Sequence, residues 1–247
     1  MKHRRSSQKA SISLQKVLIF IFIVNVLLAG LVFAGYRVPE YKRCYGDFSW
    51  TSGRCIVEDV YDAKPIIYLY PEVITDVTVE LGYPKNTTHT YPKYKGPWRV
   101  QAEPNGDLTD LKTGRHYYAL YWEGKNIVST NTPTEGFIVK GSDTISFLEE
   151  KLAILGLTDR EAAEFIIYWL PKLENAPYNF IRFQSLAEQN KNMPLTITPT
   201  PKTLIRVMME YVNLDKPIKV AKQKLPKTPT RTGFTVVEWG GTKIDIQ

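Results

Sequence analysis

Two carboxylates in this 247-residue chain stand where chemistry could happen. Glu123 follows Trp122 and Glu238 precedes Trp239, each at the end of an apolar run. An acid held against an aromatic wall resists ionisation and can serve as a general acid, and a glycosidase needs two such groups. The plainer reading is a strand-end acid, solvated or paired with Arg or Lys. His116, beside Arg115, has the same two readings: an acid–base group, or a loop-edge histidine. Asp107 and Asp110 lack the spacing of a Ca²⁺ loop, and turn formation accounts for them. The chain has no Gly-rich phosphate loop, no G-x-S-x-G elbow and no H-E-x-x-H. His3, His89 and His116 are scattered, so the residues imply no metal and no cofactor.

Two stretches suggest binding instead. Tyr83, Tyr91 and Tyr94 lie among lysines in or beside residues 84–97, read as an exposed loop. Tyrosine joins a flat apolar face to a polar tip, which suits a sugar ring or a protein partner. Residues 216–231 carry Lys216, Lys219, Lys222, Lys224, Lys227 and Arg231 among prolines, with no acid between the first and last. Such a segment can lean on an anionic polymer or lipid, or simply be a charged, solvated edge.

The elements that must position these residues change period along the chain. Val77, Val79 and Leu81 alternate with polar residues, as do Trp98, Val100 and Ala102, giving half-buried strands. Further strands are predicted at 64–71, 117–123, 137–140, 178–183, 195–198 and 234–239, and, less clearly, at 204–212, where a helix also fits. Between them, Ile145, Leu148, Leu152 and Leu155 share a helical face. Thr158 and Glu161 form a capping-box pattern before Ala162, Phe165, Ile166 and Trp169, and Pro171 is expected to end that helix. Gly156-Leu157 links the two helices into a hairpin. The expected fold class is α+β: a mainly antiparallel sheet or sandwich with an inserted helical hairpin.

The N-terminal part sets the location. Residues 17–35 contain no charged side chain and as a helix extend about 28 Å, close to a hydrocarbon core of about 30 Å. Lys2, Arg4, Arg5, Lys9 and Lys16 precede this run without an acid, which orients the N-terminus to the cytoplasm. Residues 1–16 are then a cytoplasmic tail, 17–35 a transmembrane signal-anchor, 36–61 a stalk and 62–247 an extracytoplasmic domain. Val32-Phe33-Ala34 also fits a signal-peptidase site, with cleavage at Ala34–Gly35 and secretion as the alternative. Of 32 Lys+Arg and 25 Asp+Glu, five bases and no acids fall in residues 1–35. The remainder is nearly neutral, which argues against a nucleic-acid partner. Cys44 and Cys55 enclose a short loop turned by Gly46 and Gly53. Outside the cytoplasm this reads as a disulfide, with free thiols or a metal site as alternatives.

Taken together, KPIIYLYP (64–71), YALYWEG (118–124), GFIVKGSD (136–143), FIIYWLP (165–171) and FTVVEWGG (234–241) resemble an uncharacterised family of bacterial envelope or secreted proteins. The resemblance covers roughly residues 62–241. It implies one bacterial, extracytoplasmic domain and carries no activity, cofactor or catalytic residue. The function expected is non-catalytic binding of an envelope component: a glycan, an anionic polymer or a protein. The alternatives are a glycan-directed hydrolase using Glu123 and Glu238, or a structural subunit of an envelope complex.

Overall fold

The computed structural model describes residues 47–49, 54–56, 61–125 and 133–244. The expected cytoplasmic tail, the span at 17–35, the Ala34–Gly35 cleavage site and Cys44, half of the expected disulfide, lie outside the described residues. No helix among the described residues is long and apolar enough to cross a membrane. The chain divides into two units, 1–57 and 58–247. In the first, β1 (Asp47–Ser49) pairs antiparallel with β2 (Arg54–Ile56), placing Phe48 opposite Cys55.

The second unit is α+β. Its strands are β3 (Tyr61–Tyr70), β4 (Thr75–Leu81), β5 (Thr87–Tyr91), β6 (Trp98–Ala102), β7 (Leu108–Asp110), β8 (His116–Tyr117), β9 (Leu120–Lys125) and β10 (Glu135–Lys140), followed by β11 (Tyr178–Phe183), β12 (Leu195–Thr198), β13 (Thr203–Leu214), β14 (Ala221–Lys222) and β15 (Thr235–Lys243). The helices are α1 (Thr144–Ile154), α2 (Asp159–Leu173) and α3 (Leu186–Asn192). An eight-stranded sheet runs in the order β14-β10-β11-β13-β15-β3-β9-β5, and a five-stranded sheet in the order β12-β4-β6-β7-β8. The β13–β15 and β10–β14 pairs are parallel; the others are antiparallel.

The side-chain alternation of the large sheet divides the core in two. Ile67, Leu69, Leu120, Trp122 and Val236 face the small sheet and pack on Val77, Val79, Leu81, Trp98 and Val100. Ile66, Tyr68, Ile205, Val207, Met209, Val237 and Trp239 face the other way and meet Leu148, Leu152, Phe165 and Trp169 of the helical hairpin. The large sheet is therefore the middle layer of three. Each large apolar side chain buried there contributes about 1.5–3 kcal/mol relative to exposure.

Local chemistry explains most boundaries. Thr158 and Glu161 close a reciprocal capping box at the start of α2. Gly156 takes φ +93 between α1 and α2, a conformation L side chains rarely adopt. Residues 204–212 form a strand, as the alternation suggested, because β13 is paired on both sides.

Three expectations need correction. Residues 84–97 are not all loop: after a 3-10 turn at Pro84–Asn86, β5 pairs with β9 as the sheet's edge. Backbone pairing supplies its bonds, so an edge strand needs no apolar alternation. Pro171 lies inside α2, which continues until Leu173, where burial of that leucine holds the last turn. Ile145 is exposed, and Thr144 takes the buried position at the start of α1. Helix α3 was not anticipated, although Ser185 and Glu188 form a second capping box before it.

Candidate functional site

Three elements converge on the helix side of the large sheet. Alternate residues of β3 (Lys64, Ile66, Tyr68, Tyr70) project there, as do Tyr121 and Glu123 of β9. Opposite them lies a row at spacing four along α2: Arg160, Glu164, Tyr168 and Lys172. Between sheet and helix run two adjoining cavities that share Tyr118, about 560 and 480 Å³ in volume. Both fall within the ~300–1,000 Å³ of ordinary ligand sites. Together they form a groove that seven tyrosines line: Tyr91, Tyr117, Tyr118, Tyr121 and Tyr168 at one end, Tyr68 and Tyr70 at the other.

Tyrosines and carboxylates pair along the groove. The Tyr68 hydroxyl donates to Glu164 Oε2 at 2.6 Å. The Tyr121 hydroxyl neighbours the Glu123 carboxylate, and that of Tyr70 neighbours Glu161. Burial, reinforced by the neighbouring carboxylate, pushes the hydroxyls of Tyr68, Tyr70 and Tyr121 well above the ordinary tyrosine value. Burial likewise raises Tyr118 and Tyr168. All of these tyrosines stay neutral at physiological pH and can both donate and accept.

The rings are ordered by their neighbours. Tyr68 and Tyr70 are nearly coplanar in orientation, 2° apart with centroids at 6.2 Å, as i, i+2 residues on one strand face. Lys172 Nζ stands 3.8 Å from the Tyr168 ring centroid and Lys64 Nζ 5.3 Å from it. Burial also depresses the Lys172 ammonium. At the other end Arg231, bonded to Glu161, lies over Tyr70.

Lys64 is the one non-glycine residue at positive φ among the described residues, at φ 60. It falls in a bulged part of β3, where pairing with β9 shifts register between Asp62 and Ile66. This twist aims its backbone N–H at Glu123 Oε1, 3.1 Å away. Strain of this kind persists where surrounding structure over-determines it, often beside a ligand site.

The fold brings together Glu123, His116 and Tyr91 from the sequence candidates, all lining the first cavity. It separates Glu123 from Glu238. Glu238 projects from the opposite face of the same sheet, fully buried, where it accepts from Arg206 Nε at 2.6 Å and Trp122 Nε1 at 2.9 Å. The two acids share no cleft and do not form a glycosidase pair. The tyrosine platform on residues 84–97 also comes apart. Tyr94 turns inward, edge-on to Trp98 at 4.9 Å, and its hydroxyl accepts from the Leu81 N–H. Tyr83 precedes the 3-10 turn and does not line the groove. Lys219, Lys222, Lys224 and Lys227 belong to the β14 side of the sheet, the edge opposite β5 and β9. Asp110 caps its own turn through Lys112 and Thr113, and its hydrogen bonds to Thr113 lower its pKa.

Sequence reasoning missed Tyr68, Tyr118, Tyr121 and the α2 row. The spacing of Arg160, Glu164, Tyr168 and Lys172 was a usable signal, since it marks one face adjacent to the apolar stripe.

No protein-family model matches the chain. No solved structure matches it. A protein of Butyrivibrio fibrisolvens, described as "Uncharacterized protein in bglA 3'region", is 33% identical over 113 residues, which cover 44% of this chain and 97% of that protein. The chain belongs to the family of that protein. Its description names no activity, so the chemistry of the groove rests on the groove's own residues.

Proposed function

We propose that this is a single-pass membrane-anchored protein, N-terminus in the cytoplasm, whose α+β domain lies outside the membrane and binds an envelope glycan without catalysis. The observation that carries the reading is the groove, with seven tyrosines along it and Tyr68 donating to Glu164. Sugar rings offer apolar C–H faces to aromatic rings, and their hydroxyls donate to carboxylates such as Glu123 and Glu164. Location rests on the uncharged run at 17–35 behind five bases.

The test is calorimetric titration of the full-length chain, in zwitterionic-lipid nanodiscs, with neutral oligosaccharides released from bacterial envelopes. Saturable binding that weakens in Tyr118→Ala supports the proposal. Binding unchanged in that variant, or none at all, defeats it.

A hydrolase remains the second reading, and one observation favours it: Glu164, held by Tyr68, is a second carboxylate, on α2 across from Glu123 on β9. Release of reducing ends that disappears in Glu123→Gln and in Glu164→Gln would select it over binding alone.

A further inference from the structure

The groove leaves the lysine-rich segment unexplained, and a separate cavity of about 880 Å³ lies beneath that segment. It opens where β11 stops at Phe183 and the chain turns away into α3, leaving a notch beside the start of β13. Its apolar wall is Leu155, Phe183, Leu204, Ile205, Leu225 and Pro229. Residues 223–232 cross the notch as a strap pinned at both ends. At one end the Gln223 carboxamide acts like a missing strand: Nε2 donates to Phe183 O at 2.7 Å and Oε1 accepts from Phe183 N at 2.9 Å. At the other, Arg231 Nη2 donates to Gly156 O at 2.8 Å and Thr232 N to Thr203 Oγ1 at 3.0 Å. Pro229 sits so close to Gly156 that a Cβ there would lie 2.5 Å from Pro229 Cγ. With both ends bonded and two prolines between them, the strap is formed before any ligand arrives.

Charge at this cavity is arranged by depth. The arginines are already neutralised: Arg206 by Glu238, and Arg182 by Glu188 at 2.5 Å and Glu210 at 3.3 Å. On the strap, Lys224 and Lys227 are exposed and have no ion pair among the described residues. They outnumber the one unpaired acid of the lining, Glu135. An apolar wall beside neutralised arginines, under a cationic mouth, suits an anionic molecule with a hydrocarbon chain. We infer that the cavity binds a single-chain anionic amphiphile, its carboxylate at Lys224 and Lys227 and its hydrocarbon chain along Leu204, Ile205 and Leu225. This site is independent of the glycan reading.

The test uses the full-length chain in zwitterionic-lipid nanodiscs and a diazirine-bearing decanoic acid as photoprobe, with labelled peptides mapped by mass spectrometry. Labelling is expected in residues 182–186, 204–206 or 223–229. Decanoate should suppress it at concentrations where decylamine and decanol do not. Replacing both lysines (Lys224→Ala with Lys227→Ala) should raise the competing decanoate concentration about fivefold, the scale of two exposed charge contacts. Equal competition by decanol or decylamine, labelling elsewhere, or an unchanged double variant would each overturn the inference. Because both lysines are exposed, their loss should not unfold the domain.

Discussion

Arg206 and Glu238 face each other across the parallel β13–β15 pair, Nε to Oε2 at 2.6 Å, with both side chains 1% exposed. Every polar nitrogen of Arg206 is satisfied, since Nη1 donates to Asn190 Oδ1 at 2.8 Å and Nη2 to Met193 O at 2.9 Å. Trp122 supplies the second bond to the carboxylate. The pair thus ties the small sheet's side of the core to α3, and the acid has no route to solvent. Glu238→Gln leaves a buried guanidinium uncompensated and should cost about 3–5 kcal/mol in denaturant unfolding. Arg206→Met combined with Glu238→Leu should recover much of that loss. A Glu238→Gln protein as stable as the parent would refute the structural role.

Tyr118 links the two cavities of the groove and is half exposed. Truncating it to alanine removes a ring face without opening the core. Glycan affinity should fall about tenfold, the worth of a good aromatic contact, while unfolding free energy changes by less than about 0.5 kcal/mol. Calorimetry and a denaturant titration on one preparation separate the two effects.

Alkaline pH should unfold the domain through its tyrosines. Tyr68 is buried and bonded to Glu164, so its folded pKa is raised above the ordinary 10.0. The stability it contributes is complete below the unfolded value, and is lost as pH rises beyond it towards the folded value, because only the unfolded state ionises there. Between about pH 10 and 12 each such tyrosine should remove about 1.4 kcal/mol per pH unit. Tyr68→Phe should therefore flatten the alkaline decline seen by circular dichroism. An identical slope in the variant would contradict the burial argument.

Lys64 offers a test of backbone strain at φ 60. Glycine adopts that conformation freely and keeps the N–H that reaches Glu123. Lys64→Gly should be neutral or stabilising by up to about 1 kcal/mol, whereas Lys64→Val should destabilise by about 1–3 kcal/mol. Thermal unfolding of the two variants gives the order; Val as stable as Gly would rule out the left-handed backbone.

Much of the architecture was legible because it is written locally. The alternation of Val77, Val79 and Leu81 marks a half-buried strand wherever it occurs, and Thr158 with Glu161 caps a helix without distant help. The edge strand β5 was not legible, because its place depends on β9 and its own side chains carry no apolar pattern. Helix α3 is short, and its capping box stood without an apolar stripe to support it. At the site, Glu123, His116 and Tyr91 drew attention as residue types, but their proximity depends on how β5, β8 and β9 meet.

Glu123 and Glu238 show where the division falls. Sequence alone placed each beside a tryptophan in an apolar strand, and it determined the α+β class through its change of period from two to 3.6. Which face of the sheet each acid occupies follows from strand order and register, which are set by the pairing of β3 with both β9 and β15. A one-residue change of parity carries a side chain from one layer to the other. Tertiary structure therefore decided that Glu238 is a buried partner of Arg206, and that Glu123 opens onto the tyrosine groove beneath α2.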